Sequence, residues 1–156
     1  MKFSSRTDIA APIEFVFDQL ADFAGFERAA LRRGVELKRL DTLAQPGPGM
    51  SWDIGFRMRG KRRQIITDIR RYDRPKLLEY AGASTSFEML LDLQLTQVAP
   101  GRTRLQAGFE VKPRTLAGRL MVQSAKIGRK RLERKYAERI ATFGREIERR
   151  AAGGQA

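Results

Sequence analysis

The pattern that constrains this chain most is its ending. From about Thr115 to Arg150 the residues keep an unbroken helical period, and seven strand-like segments come before it. One flank of that period is apolar and most of the rest is basic. A continuous helix of this length would run about 54 Å at 1.5 Å per residue. The preceding strands alternate apolar and polar residues, so their sheet has a single core face that something must cover. The terminal helix is the only segment large enough to cover it.

The strands read clearly. Phe3, Ser5, Thr7 and Ile9 alternate with Lys2, Ser4, Arg6 and Asp8. Pro12 opens a helix whose Phe15, Val16, Leu20 and Phe23 share a face. Gly25 interrupts it, and a second short helix is expected over Phe26–Leu31, ending at Gly34. Strands follow at Val35–Asp41, Trp52–Arg59, Arg62–Tyr72, Lys76–Tyr80, Phe87–Leu95 and Thr103–Lys112. Arg59-Gly60-Lys61 and Pro100-Gly101 are hairpin turns. The order β-α-α-β-β-β-β-β-β-α with short links predicts an α+β domain built on an antiparallel meander. Residues 1–150 form one domain and 151–156 read as a flexible tail.

Composition narrows the chemistry. The chain of 156 residues has neither histidine nor cysteine. That excludes His-based triads, imidazole bases, thiol nucleophiles and zinc sites of the usual kind. No segment reaches the ~20 apolar residues of a membrane span, and MKFSSRTDIAAP lacks an apolar signal core. A cytoplasmic location, with no disulfide and no cofactor, is the resulting expectation. The formal charge of +13 points to anionic partners. The same excess of Arg, Ala and Gly also follows from GC-rich coding, and both explanations stay open.

Several segments carry a family resemblance. Ile9-Ala-Ala-Pro12-Ile-Glu-Phe-Val-Phe17 with Leu20-Ala-Asp22, Asp73-Arg-Pro75-Lys-Leu77 before a strand, and Pro100-Gly101-Arg-Thr103-Arg-Leu105 occur in order ahead of the terminal helix. In these the chain resembles the START-like, polyketide cyclase/dehydrase (SRPBCC) superfamily, whose helix-grip fold is also that of the major birch pollen allergen. The resemblance implies a seven-stranded antiparallel sheet curved around a long C-terminal helix, with an apolar cavity between them. It does not by itself imply a reaction, because lipid carriers, cyclases and chaperone activators share the fold.

Strand parity supplies candidate walls for that cavity: Trp52, Ile54, Phe56, Thr67, Ile69, Phe87, Met89, Leu91, Ala107 and Phe109. Leu120, Ser124 and Ile127 of the terminal helix are expected to cap it. Arg63, Arg71, Tyr80 and Tyr136 are the available polar handles, with Arg71 placed in the ligand-binding set. An inward Arg would need an anion beside it, and a register slip of one residue would turn it outward. Glu79, Glu88, Asp92 and Glu110 have the opposite parity and should face solvent, so no buried acid–base pair emerges.

On the terminal helix, Met121, Ala125, Leu132, Tyr136, Ile140, Phe143 and Ile147 form one stripe, with Leu116, Leu120 and Ile127 on another flank. Gly118, Gly128 and Gly144 interrupt the pattern at about 1 kcal/mol each relative to Ala. Gly128 suggests a kink beside a cavity or a tight packing contact. Arg119, Lys126, Lys130 and Arg134 form a basic face that suits an anionic membrane or RNA, though it could equally be an ordinary solvated face.

These residues favour a noncatalytic protein that binds or carries an apolar or amphipathic small molecule, a lipid among the candidates. The alternatives are a cyclase- or dehydratase-like enzyme using Tyr or Arg to polarise a carbonyl, and docking of the basic helix face on RNA, ribosome or anionic membrane.

Overall fold

The computed structural model describes residues 1–154. The elements are β1 (Lys2–Ile9), α1 (Ile13–Leu20), α2 (Phe23–Arg32), β2 (Glu36–Arg39), β3 (Ser51–Met58), β4 (Lys61–Asp73), β5 (Leu77–Ala83), β6 (Phe87–Ala99), β7 (Arg102–Pro113), α3 (Leu116–Ile127) and α4 (Arg129–Gly154). All seven strands join one antiparallel sheet in the order β1-β7-β6-β5-β4-β3-β2. Strands β2 to β7 form a meander, and β1 returns to the free edge of β7. This is the helix-grip α+β arrangement.

The hairpins follow from residue type. Arg59 and Gly60 both take positive φ, 52° and 75°, which is the two-residue turn matching the twist of a tight hairpin. Asp22 starts α2 earlier than the sequence suggests, because its carboxylate accepts the Gly25 N–H at 3.1 Å. The break between the first two helices therefore falls at Ala21–Asp22, and Gly25 lies inside α2.

The terminal helix is not continuous. Gly128 ends α3 with φ −98° and ψ 24°, and α4 restarts at Arg129. The expected 54 Å rod is thus two helices, of which α4 spans about 39 Å. The basic face expected on one helix is thereby divided, with Arg119 and Lys126 on α3 and Lys130 and Arg134 on α4. At the other end α4 continues to Gly154 and Ala151 is buried, where the sequence predicts a flexible tail from residue 151. The last two residues of that tail, Gln155 and Ala156, lie outside the described residues.

The core sits at one end of the concave face. Ile9, Val16, Phe17, Ile69, Leu78, Leu105 and Ile147 are fully buried there. Helix α1 acts as the plug: Phe17 meets Tyr72 edge-on, with ring centroids 5.2 Å apart. Thr103, buried beneath, donates to the Ala11 carbonyl at 2.8 Å and so ties β7 to the corner after β1. Helix α4 lies over β1, where Gly144 lets the two backbones approach closely.

Candidate functional site: an apolar cavity between sheet and helix

Beyond the plug, the sheet and α4 diverge and leave a cavity of about 400 Å3. Strands β4 to β7 supply Ile65, Thr67, Tyr80, Met89, Leu91, Leu93, Leu105 and Phe109 to it. These are successive inward residues of antiparallel partners, so period-two alternation is what gathers them. Leu20, Phe26, Ile140 and Phe143 close it from the helices, with the Phe26 and Phe143 rings 6.3 Å apart across α2 and α4. Gly82 lies among these walls and adds no side chain, which leaves room in the middle of the sheet. Among the described residues, Thr67 and Tyr80 are the polar side chains of the lining, and no charged residue lines it.

Burial raises the pKa of Tyr80 well above that of an ordinary phenol, and the nearby Tyr72 adds to the effect. Tyr80 is therefore a neutral hydroxyl at any working pH, able to donate or accept one hydrogen bond within an apolar wall. Tyr136 is committed elsewhere. Its hydroxyl donates to the Ala107 carbonyl at 2.9 Å, and its ring packs 5.9 Å from that of Phe3, pinning α4 to the sheet. Burial raises its pKa too, with a smaller contribution from Asp92.

A second compartment, of about 410 Å3, lies beside it below α3. It shares Ile65 and Met89 with the first, so the two spaces adjoin at these side chains. Phe56, Met58, Phe87 and Met121 line it, together with Arg63 and the hydroxyl residues Ser84, Thr85 and Ser86. Arg63 pairs with Phe56 across the β3–β4 ladder and shares the inward parity of Ile65 and Thr67. Its Nε is buried and has no hydrogen-bond partner among the described residues.

The residues proposed from parity divide into several groups. Thr67, Met89, Leu91 and Phe109 line the inner cavity, while Phe56, Phe87 and again Met89 line the outer compartment. Trp52, Ile69 and Ala107 share that face but are buried in solid core, with Ile54 packed against it. Trp52 is held by Phe23 at 5.5 Å and by its indole N–H donating to Glu27 at 2.9 Å.

Arg71 turns outward. A bulge between Ile69 and Arg71 shifts the pairing with β5, so Tyr72 takes the inward place and Arg71 pairs with Asp73 at 3.0 Å. The α3 residues Leu120, Ser124 and Ile127 do not cap the cavity; all three are exposed. Arg119, Lys126, Lys130 and Arg134 are exposed as well. Glu79, Glu88 and Glu110 lie on the convex side around a shallow depression, and Glu110 pairs with Lys2 at 3.2 Å.

Parity reasoning missed the helix-borne walls Leu20, Phe26, Ile140 and Phe143. Two of these, Ile140 and Phe143, belong to the apolar stripe of α4, which was the available signal. It also missed Ile65, two residues before Thr67 on the same face.

A family model described as polyketide cyclase / dehydrase and lipid transport matches residues 1–148. Among solved structures, the Zhui aromatase/cyclase from Streptomyces sp. R1128 is similar at 17% identity, with 96% of this chain and 94% of that one covered and a TM-score of 0.69. The protein TTHA0849 from Thermus thermophilus is similar at 15% identity over the full length of both chains, with a TM-score of 0.66. A START superfamily protein from Mycobacterium smegmatis covers 90% of this chain and 99% of its own at 16% identity, with a TM-score of 0.53. Likeness at these identities is likeness of fold. No curated protein sequence matches the chain.

Proposed function

This chain belongs to the polyketide cyclase / dehydrase and lipid transport family, and on that premise we propose that it binds and carries one apolar or amphipathic small molecule in the cavity between sheet and α4. The observation that carries this reading is the wall chemistry. A space of about 400 Å3 is lined by aliphatic and aromatic side chains with two neutral hydroxyl groups and, among the described residues, no acid, base or cation. Such a wall gains free energy by removing apolar surface from water, about 25 cal/mol per Å2. It offers little to a reaction that must move a proton. Titration with Nile red, an uncharged solvatochromic dye, tests the reading. One saturable site per chain is expected, with a negative heat-capacity change on binding. Absence of saturable binding contradicts it.

A second observation supports docking on an anionic membrane. Leu116, Leu120 and Ile127 are 75%, 57% and 91% exposed and lie within about 40° of one another around α3. The opposite side of that helix is seated by Gly118, whose Cα faces the Ser86 carbonyl so closely that a Cβ would lie 2.5 Å from it. The apolar stripe is thereby turned to solvent. Arg119 and Lys126 run alongside it, and Lys130, Arg131 and Arg134 follow on α4. Exposed aliphatic side chains beside cations suit the boundary between lipid headgroups and acyl chains. RNA would use the cations alone, and no aromatic residues interleave them for base stacking. Met121 of the same helix lines the outer compartment, so a membrane held by α3 would lie beside that compartment.

A further inference from the structure

We propose that Arg63 is the head-group site of the ligand, and that the ligand is an amphipathic carboxylate whose apolar body occupies the inner cavity. The inference rests on the cavity-binding reading and adds the chemical class of what is bound.

Three observations converge on it. Arg63 projects from the concave side of β4, two residues from the Ile65 that belongs to both compartments. Its Nε is buried without a partner, and among the described residues it takes part in no salt bridge. Among the described residues the compartment around it contains no carboxylate, only apolar side chains, Gln64, Arg62 and the hydroxyl residues of the β5–β6 turn.

The neighbouring arginines make the contrast. Arg62, in the same lining, is ion-paired with Glu36, and Arg71, on the opposite face, with Asp73. Among the described residues, Arg62 and Arg71 of this strand thus have acids and Arg63 has none. A guanidinium held partly out of water with an unused donor is costly unless an acceptor arrives. Arginine's planar fork fits the two oxygens of a carboxylate, which makes that head group the natural acceptor. The Ser84 hydroxyl is engaged with the Phe87 backbone, and Thr85 and Ser86 of the same lining carry the hydroxyl groups that can meet the remaining lone pairs of a carboxylate. An apolar tail leading inward from such a head passes Ile65 and Met89 into a space with no charge on its walls.

The test compares dodecanoate with dodecanol, which share a tail and differ at the head, by calorimetry on the whole protein at neutral pH. Wild type should bind dodecanoate at least 10-fold more tightly than dodecanol, roughly the effect of one charge-assisted contact. Arg63→Met should weaken dodecanoate by about 10- to 100-fold, the range for one such contact, and leave dodecanol unchanged. Arg63→Lys, which keeps the charge without the fork, should fall between the two. Equal binding of both probes by wild type overturns the head-group assignment and leaves the cavity reading intact. Binding of neither overturns both. Because the wild-type preference is itself diagnostic, the outcome does not depend on how well Arg63→Met folds.

Discussion

Gly144 of α4 rests against Thr7 of β1 so closely that a Cβ built on the glycine would lie 3.0 Å from the Thr7 methyl and 3.3 Å from Ile9 Cγ1. This contact sets the distance between the terminal helix and the sheet edge, and therefore the depth of the cavity beside it. Gly144→Val should lower stability by about 1–3 kcal/mol through overpacking. Chemical denaturation of the single variant and of the double variant with Thr7→Ser checks the cause. Removing the Thr7 methyl should recover part of the loss, a coupling expected only for residues in contact. Additive effects would contradict it.

The seating of α3 depends on another glycine. Gly118→Ala would drive a methyl group into the Ser86 carbonyl, which is backbone and cannot swing aside. The Thr115 hydroxyl, which accepts the Gly118 N–H at 3.0 Å, would lose its geometry as the helix shifted. Amide hydrogen exchange in residues 116–127 should rise in this variant while α4 and the strands stay protected. Unchanged exchange in α3 would contradict the account.

Membrane docking through α3 should depend on both its apolar stripe and the adjoining cations. Ile127→Asp and the pair Lys126→Glu with Lys130→Glu should each reduce co-sedimentation with phosphatidylserine-containing vesicles. The charge variants should lose most of the salt dependence as well, at about 1 kcal/mol per cation near the surface. Binding to uncharged vesicles with equal strength would contradict the reading. So would preference for RNA, or self-association through the exposed stripe that Ile127→Asp abolishes.

Stability should also respond to pH through one carboxylate. Asp41 accepts from Arg39 at 2.5 and 2.8 Å and from the backbone N–H groups of Leu43 and Ser51 at 3.0 and 2.8 Å. The Arg39 hydrogen bond holds its pKa well below the ordinary carboxylate range, and the two backbone donors add to this. A group with a depressed folded pKa contributes its stabilisation fully above its unfolded value near ~4 and loses it as pH falls toward the folded value. Asp41→Asn should therefore be less stable than wild type at pH 7, and the difference should shrink below about pH 4. Thermal melts from neutral to acidic pH check this. A gap that stays constant with pH would contradict it.

What the chain discloses by itself is local. Period-two alternation places Thr67, Met89, Leu91 and Phe109 on one face of the sheet, because side-chain direction in a strand depends only on counting. Counting fails where pairing intervenes. The bulge after Ile69 is a property of β4 against β5, and it exchanges Arg71 for Tyr72 on the inner face. Parity also cannot tell solid core from empty space. Ile69 and Leu91 share a face, but Ile69 is sealed in the core beneath α1 while Leu91 borders the cavity. Arg63 has the inward parity by counting alone. Its significance depends on the absence of a partner, which only the assembled fold displays.

The central claim is that this protein holds an apolar or amphipathic small molecule between sheet and α4, and native mass spectrometry of freshly purified protein tests it most directly. Wild type should retain a discrete passenger of one or a few related masses, removable by organic solvent. Leu91→Trp, which places a large ring inside the cavity, should emerge as bare chain while keeping a wild-type circular dichroism spectrum. A wild-type protein that carries nothing, and takes up nothing from a lipid extract that the Leu91→Trp variant does not, would contradict the account.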